Sequence, residues 1–353
     1  MADPSQFALP SAPFDSISQV KFSPTNPDHL LSSSWDTTVR LYEAIDENSS
    51  QQKCKFDHRA AVLACCFEDG SHGFSGGLDT AVRYCSRSCL AFPITTVVWN
   101  WIAIVIMRFR QWRIHPFPER NALITGSWDR SLRFFDPRAA AAQVSLHEAP
   151  ERVYKMDIVN NTLVVAMASR LFNIYDVRKM DMPAQQRESS LKYMTRSVAC
   201  MVTGEGYATA SVEGRIAVEY FDPSDEAQQK KYAFKCHRLT EDGVDHVWPV
   251  NSLAFHPIYN TFASAGSDGT VSVWDHKIKK RLRQYPKYDN PVSSVAFNKD
   301  GSKMAVATCY TWDEGEAGLR WTKDEKGQQK ERERPMIRIR KVGSEAKPKG
   351  WDE

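Results

Sequence analysis

The sequence lacks several features that define common classes of protein. Its 46 basic and 43 acidic residues give a formal net charge of only +3, which argues against a nucleic-acid-binding protein that relies on bulk charge. The eight cysteines show no paired spacing of the zinc type, which favours inert thiols in a reducing compartment. The N-terminal residues have neither a basic start nor an apolar run, so we expect no secretory signal and predict the cytosol or nucleus.

The sequence also has no arrangement of residues that indicates catalysis. It contains no Gly-rich phosphate loop and no evident Ser/His/Asp constellation, and we interpret Gly204-Glu205-Gly206 as a turn. His237 lies beside Cys236, but no further Cys/His set completes four metal ligands. We therefore predict a non-enzymatic protein with no catalytic residues, no cofactor and no metal.

A phrase that recurs with variation is the most informative feature of the chain. Each copy is typical of a strand of small residues, a tight turn that carries an acid, and an alternating strand that ends in an aromatic residue. The copies recur at about 40 to 45 residues, which is the period of one propeller blade. They read SSWDTTVRLY at 33–42, GGLDTAVRY at 76–84, GSWDRSLRFFD at 126–136 and GSDGTVSVWD at 266–275.

This period predicts an all-β fold, a seven-bladed WD-repeat β-propeller over residues 1–342. Six blade openings are legible in the sequence, and the opening of the third blade is not. We expect the last blade to take its outer strand from the N-terminus, near Gln6 to Leu9. That arrangement closes the ring and removes exposed strand edges.

Four segments depart from the period. Residues 224–231 lengthen the repeat and are predicted to form a polar loop. Residues 313–335 are almost wholly charged and are predicted to form a disordered loop, and residues 343–353 a disordered C-terminal tail. Residues 84–118 are anomalous, because Cys89 to Met107 carries no charge and has no turn signals where a blade needs them. A membrane span, a lineage-specific insertion and an error in the sequence are the alternatives. The flanking repeats argue against a span, an error is favoured, and we assign no function to this stretch.

Residues 189–238 carry a specific resemblance. The strings LKYMTR at 191–196, SVEGRIAVEY at 211–220 and KKYAFKCHR at 230–238 closely resemble the kinetochore WD-repeat proteins of the mitotic checkpoint. That family is the third of the budding-uninhibited-by-benzimidazoles proteins, and the resemblance covers nearly all of the chain outside 84–118 and the charged loop. The messenger-RNA export propeller that docks on a nucleoporin shares much of these strings and remains an alternative.

The resemblance implies a scaffold and not a catalyst. Its expected partners are checkpoint kinases and related proteins, held through a short GLEBS motif laid across one face of the propeller. The bound pair is expected to recognise phosphorylated Met-Glu-Leu-Thr repeats on a kinetochore scaffold. The implied location is the nucleus and kinetochore with a cytoplasmic pool, as a monomeric propeller in a heteromeric complex, without nucleic acid or membrane as a partner.

The candidate binding residues follow from the same strings and from the repeat turns. Arginine and lysine supply donors that match phosphate oxygens, and tryptophans beside a channel mouth can anchor a peptide. The alternative is that each cation neutralises a local acid and each tryptophan packs a blade. The predicted peptide and phosphopeptide site consists of Trp35, Trp128, Arg196, Glu213, Arg215, Lys235 and Arg238.

The acids of the repeated turns are predicted to be structural. Each can accept turn amides and a side-chain donor from a neighbouring strand, and they are Asp36, Asp79, Asp129 and Asp268. A further hypothesis concerns Phe135-Asp136-Pro137-Arg138 and Tyr175-Asp176-Val177-Arg178. Both match the loose pattern with which substrate receptors of cullin ubiquitin ligases bind their adaptor, although so short a pattern arises easily at blade ends.

Overall fold

The computed structural model describes residues 5–86, 91–94, 107–109, 122–136, 143–313, 315–318, 321–323 and 329–351. These residues form seven four-stranded antiparallel sheets. The innermost strand of each sheet contacts the innermost strand of the next, and that of the seventh contacts that of the first. The predicted seven-bladed propeller is therefore confirmed.

Four consecutive strands build each of the first six blades, from the channel outward. Blade one comprises Ile17–Phe22, His29–Ser34, Thr38–Glu43 and Gln51–Asp57, blade two Val62–Phe67, His72–Gly77, Val82–Ser86 and Ala91–Ile94, and blade three Met107–Phe109, Ala122–Gly126, Ser131–Phe135 and Gln143–Glu148. Blade four comprises Val153–Val159, Thr162–Met167, Leu171–Asp176 and Gln185–Glu188, blade five Thr195–Cys200, Gly206–Ser211, Arg215–Tyr220 and Tyr232–Lys235, and blade six Val250–Phe255, Phe262–Gly266, Val271–Asp275 and Lys280–Gln284.

Blade seven is completed by the N-terminus, as the sequence predicts. Its strands are Val292–Phe297, Lys303–Thr308, Met336–Lys341 and the N-terminal Gln6–Ala8. Phe7 is the register partner of Ile339, and the Leu9 amide donates to the Ile337 carbonyl over 2.8 Å. Phe7 and Leu9 are buried in one apolar cluster with Val20 of blade one, so the strand joins the last blade to the first.

Burial explains why the recurring phrase is rich in small residues. The second strands His29–Ser34 and Gly206–Ser211 are buried at every position, because each lies between two neighbouring blades. The outermost strand Gln143–Glu148 instead alternates between half-buried and exposed side chains. Serine and alanine therefore fill the layer where the blades approach most closely.

Several segments outside the blades are ordered in ways that the sequence does not indicate. A short helix, Asp225–Gln229, stands where a polar loop is expected, and Ser224 caps it by accepting the Ala227 amide at 3.3 Å. A hairpin of Arg238–Glu241 and Val244–Val247 follows blade five. Most of the anomalous segment 84–118 lies outside the described residues.

The two segments predicted to be disordered also contain structure where they are described. Trp321–Lys323 pairs with Gln329–Glu331 inside the charged segment 313–335. In the C-terminal tail, Ala346 is fully buried and the Trp351 ring lies 5.5 Å from the Tyr259 ring. The tail is held against the propeller because its few apolar residues pack on blade six.

Candidate functional site

A β-bulge at the start of the innermost strand recurs in every blade except the third, where the corresponding residues lie outside the described ranges. We call the face of the ring where innermost strands begin the upper face, and the face where they end the lower face. At each bulge two residues oppose one on the second strand, so the extra side chain is released from the pleat toward the channel mouth. The bulged residues are Ser18, Leu63, Tyr154, Arg196, Asn251 and Ser293.

All six bulged residues line one cavity of about 700 Å³ at the channel mouth on the upper face. Trp35, Trp128 and Trp312 line it as well, and their side chains are 48%, 44% and 51% exposed. The Trp128 ring lies 6.3 Å from the Tyr154 ring in an edge-on arrangement. Exposed aromatic rings around a concave mouth are suited to anchor apolar side chains of a peptide.

The two predicted tryptophans reach the mouth because the repeat aspartates hold their turns. Asp36 accepts the Thr38 amide at 3.0 Å and forms an ion pair with Arg40 at 2.9 Å. Asp129 repeats this geometry with the Ser131 amide at 2.9 Å and Arg133 at 3.1 Å. These contacts confirm a structural role for the repeat aspartates, and each presents the preceding tryptophan to the solvent.

Cations line the same mouth. Arg196 is exposed, and its Nε lies 3.3 Å from Oδ1 of Asn251. Lys155 lines both the mouth and the channel below it, into which Lys21 also projects. Burial, and to a smaller extent the charges of Lys21 and Arg196, together lower the pKa of Lys155 to about 8. The mouth thus combines aromatic surface with positive charge, which suits a peptide that carries both apolar and acidic side chains.

The other four predicted residues lie on the upper rim of blade five. Arg215 and Lys235 are register partners on neighbouring strands. Glu213 Oε1 lies 3.3 Å from Arg215 Nε, an ion pair that lacks hydrogen-bond geometry. Arg238 donates to the Glu213 carbonyl over 2.8 Å and approaches Asp245 at 3.5 Å. Three cations therefore stand together at this rim with two acids, Glu213 and Asp245.

The structure thus divides the predicted residues into two groups. Trp35, Trp128 and Arg196 line the mouth, whereas the blade-five rim carries the rest. Arg196 is on the first strand of blade five and Arg215 on the third, which separates their backbones by about 10 Å, or two strand spacings. The sequence missed Lys155, Tyr154 and Trp312. Tyr154 could have been found from its position in the repeat. In each of the six bulged innermost strands, the residue directly after the first buried residue is the extra one.

The expectation that no Ser/His/Asp constellation exists is wrong. His237 Nδ1 lies 2.8 Å from Asp268 and its Nε2 lies 2.9 Å from the Ser264 hydroxyl, which also accepts the Trp274 indole N–H at 2.8 Å. His58, Asp79 and Ser75 form a second chain, with distances of 3.0 and 2.8 Å. In each chain the serine and the aspartate lie four residues apart, but the histidine is distant in sequence and meets them only in the fold. The sequence alone therefore does not show the pattern.

Both of these hydrogen-bonded Ser–His–Asp groups lie inside the blades. Ser264 and Ser75 have no exposed surface, so neither hydroxyl can meet a substrate. Burial by itself raises the pKa of Asp268, but the hydrogen bonds from His237 and Thr270 outweigh it and hold that pKa below its usual value. The chains therefore tie a turn of each blade to its strands and stabilise the fold.

One cluster in the described part of the chain has the composition of a metal site. Glu68, Asp69 and His72 place one ligand atom each within 4.8 Å of one another at the lower turn of blade two. However, Asp69 already accepts the amides of Ser71 and His72 at 2.6 and 2.7 Å. These bonds make the cluster a turn cap, and we assign no metal to it.

Comparisons with known proteins support the propeller fold and identify the family. Residues 9–43 and 234–275 match the family described as WD domain, G-beta repeat. The chain is 49% identical over 87% of its length to the Arabidopsis thaliana mitotic checkpoint protein BUB3.1, covering 88% of that protein. It is 41% identical over 88% of its length to the Dictyostelium discoideum mitotic checkpoint protein bub3, covering 90% of it. The chain belongs to the Bub3 family of mitotic checkpoint proteins.

A relative with another role shows how broad this group of propellers is. The chain is 38% identical over 86% of its length to the Schizosaccharomyces pombe poly(A)+ RNA export protein, covering 84% of it. Within the described residues of this Bub3-family chain, none of the helices has the length and apolar character needed to cross a membrane.

Proposed function

We propose that this chain is a non-catalytic scaffold of the spindle assembly checkpoint. It binds GLEBS-type segments of checkpoint kinases at the channel mouth and docks the bound pair on phosphorylated Met-Glu-Leu-Thr repeats of a kinetochore scaffold. The observation that supports this most directly is the mouth cavity, which gathers Trp35, Trp128 and Arg196 in a chain of the Bub3 family.

The mouth suits the kinase segment because it offers two kinds of contact. The exposed rings of Trp35 and Trp128 provide apolar anchors of the type that carry most of the affinity in peptide interfaces. Arg196 and Lys155 provide donors for acidic side chains of the segment, and a charge-assisted bond fixes the direction in which the peptide lies.

The rim of blade five suits the phosphothreonine. Arg215 and Lys235 stand opposite each other on paired strands, so one phosphate group can contact both. Glu213 orients the Arg215 guanidinium, and Arg238 is anchored to the Glu213 backbone beside them. A phosphate is attracted to this group because its three cations outnumber the two acids, Glu213 and Asp245.

The proposal includes the nucleus and kinetochore as the location, with a cytoplasmic pool, and a monomeric propeller within a heteromeric complex. It needs neither nucleic acid nor membrane as a partner. Catalysis is not part of it, because both Ser–His–Asp chains are buried inside blades.

The second candidate function is docking of a nucleoporin in messenger-RNA export, which the similarity to the fission yeast export protein favours. Binding to a GLEBS peptide does not separate the two, because both functions use such a ligand. Localisation of the tagged chain in nocodazole-arrested cells does. Bright kinetochore foci support the checkpoint function, and a ring at the nuclear rim without foci contradicts it.

The cullin-adaptor hypothesis gains little from the structure. The Arg178 guanidinium folds back onto its own Asp176, with Nε 2.9 Å from Oδ1, and so satisfies that carboxylate internally. Pro137 and Arg138 of the other match lie outside the described residues. A pull-down that enriches the ligase adaptor and not checkpoint kinases would still favour this function.

A further inference from the structure

The lower face carries a second cavity, far from the channel mouth. It has a volume of about 550 Å³ and lies between blades five and six. Its walls come from the lower turns of both blades and from the helix Asp225–Gln229, which contributes Ala227. Tyr220 and Phe221 form an aromatic side of the cavity.

Lysines surround this cavity. Lys277 and Lys279 are exposed, and neither has an ion pair or a side-chain hydrogen bond within the described part of the chain. The Lys279 ammonium lies 4.8 Å from the centre of the Tyr232 ring, a cation–π contact that keeps it beside the opening. Lys230 stands on the other side, where it pairs with the exposed Glu226 at 3.1 Å.

Two acids also line the cavity, and both have local partners. Asp222 accepts the Ser224 amide at 2.9 Å, which fixes the turn before the helix. Glu205 accepts the Thr203 hydroxyl at 3.2 Å. The lysines without ion pairs are therefore on the blade-six side, and that side attracts anions.

The positive charge continues beyond the cavity along the outermost strand of blade six. Lys280, Arg281 and Arg283 are exposed on the strand Lys280–Gln284, and no acidic partner is found for them among the residues that the structure describes. The Arg281 guanidinium lies over the Trp274 ring, 5.9 Å from the ring centroid. The strand carries this charge for about 10 Å, at the ordinary rise of a β-strand.

The floor of the cavity contains a buried donor. His276 is only 2% exposed, and its Nε2 lies 3.2 Å from the Asn260 side-chain nitrogen, which donates to it. Nδ1 therefore carries the proton of the neutral ring, and it has no hydrogen-bond partner in the structure. This N–H is closed off from the solvent, so the binding of a ligand in the cavity does not depend on it.

We propose that this lower-face cavity and the basic strand beside it form a second binding site, which takes an acidic peptide segment with one carboxylate or phosphate group seated between Lys230, Lys277 and Lys279. The two wall acids, Glu205 and Asp222, repel a continuous polyphosphate backbone, and the charged strand is short. Both features favour an acidic peptide over a nucleic acid.

The test is fluorescence anisotropy with a labelled octapeptide of alternating glutamate and serine, in plain and singly phosphorylated forms. We expect K277Q/K279Q to weaken binding about tenfold, since two exposed cations are lost. Higher affinity for the phosphorylated form indicates that a phosphate binds between the three lysines. Equal affinity for the two forms indicates that a carboxylate binds there. The matched control is K53Q/K55Q, which removes two lysines from the outermost strand of blade one and should change nothing.

Two further measurements separate this site from the upper face. The variant R215A/K235A should bind the plain octapeptide as the wild type does, and K277Q/K279Q should bind a GLEBS peptide as the wild type does. The proposal is overturned if K277Q/K279Q binds the octapeptide with unchanged affinity. It is also overturned if an oligothymidylate of equal charge binds the lower face more tightly than the peptide.

Discussion

The channel mouth and the rim of blade five are built in different ways. The mouth takes single bulged residues from six different blades, so its shape depends on how the whole ring closes. The rim takes Arg215 and Lys235 from two paired strands and Glu213 from the turn that precedes the first of them, all within one blade. The mouth is therefore sensitive to the global fold, whereas the rim depends on local register.

The two regions also differ in the energy that they offer a ligand. The mouth presents exposed tryptophan rings, and burying them removes apolar surface from water. At the rim, Arg215 and Arg238 already contact acidic or carbonyl oxygens, and Lys235 has no ion pair within the described residues. In the proposed function, the mouth supplies affinity and the rim supplies discrimination between phosphorylated and plain peptides.

Deletion of residues 1–14 should have the largest effect and should separate the regions by their dependence on the ring. It removes the buried Phe7 and Leu9, each worth about 2 kcal/mol, and the Ser11 and Ala12 carbonyls that accept from the buried Arg40 at 2.5 and 2.9 Å. We expect a sharply lower Tm by calorimetry and loss of GLEBS-peptide binding. An unchanged Tm would contradict the closure of blade seven as a source of stability.

Replacing both tryptophans, W35A/W128A, should test the mouth without opening the ring. Each ring is an exposed anchor, so we expect GLEBS-peptide affinity to fall by about 4 kcal/mol in total, measured by titration calorimetry. The Tm should change little, because Asp36 and Asp129 still hold their turns. Wild-type affinity in this variant would assign the tryptophans to blade packing alone. The exposed Trp312 at the same mouth offers a third variant, W312A, for a graded series.

Replacing the rim pair, R215A/K235A, should affect phosphate reading and leave the mouth intact. We expect about 2 to 4 kcal/mol less affinity of the kinase-bound propeller for phosphorylated Met-Glu-Leu-Thr peptide, and no change for the plain peptide. Rising salt should weaken the wild type more than the variant, because only the wild type has the ionic contact. The single variant R196A serves as the comparison. If R196A lost as much phosphopeptide affinity as the pair, the division into two regions would be wrong.

The smallest expected effect is a pH dependence at the mouth. The pKa of Lys155 is about 8 in the free protein, and an acidic side chain of the bound peptide should raise it toward its ordinary value of about 10.4. Below pH 8 Lys155 is charged in both states, so affinity is constant. Above pH 8 the free protein loses the proton that the complex needs, and affinity should fall about tenfold by pH 9. The variant K155M should show no such fall, and a persistent fall in it would point to another group.

The sequence predicts the architecture well because the blade signal is local. Each copy of the phrase contains its own strand, turn and aromatic end, and the unpaired last strand indicates closure by the N-terminus. The turn tryptophans Trp35 and Trp128 are readable for the same reason. The third blade's opening could not be read, and it lies largely outside the described residues.

The features that sequence reasoning missed arise from pairing between distant strands. A bulge such as that at Tyr154 exists only relative to the strand opposite, and the His237–Asp268–Ser264 chain joins two separate segments. The charge environment that lowers the pKa of Lys155 likewise comes from Lys21 and Arg196 on other blades. Such non-local arrangements leave little trace in any one window of residues.

The strand pairing that joins Gln6–Ala8 to Met336–Lys341 has a consequence for biosynthesis. The first strand to leave the ribosome must wait for one of the last, so the ring stays open through almost the whole of translation. During that time the strand Gln6–Ala8 has no partner. Other chains can therefore contact this strand and the apolar faces of blade one. We therefore expect newly made chains to depend on chaperones until the final strand is released.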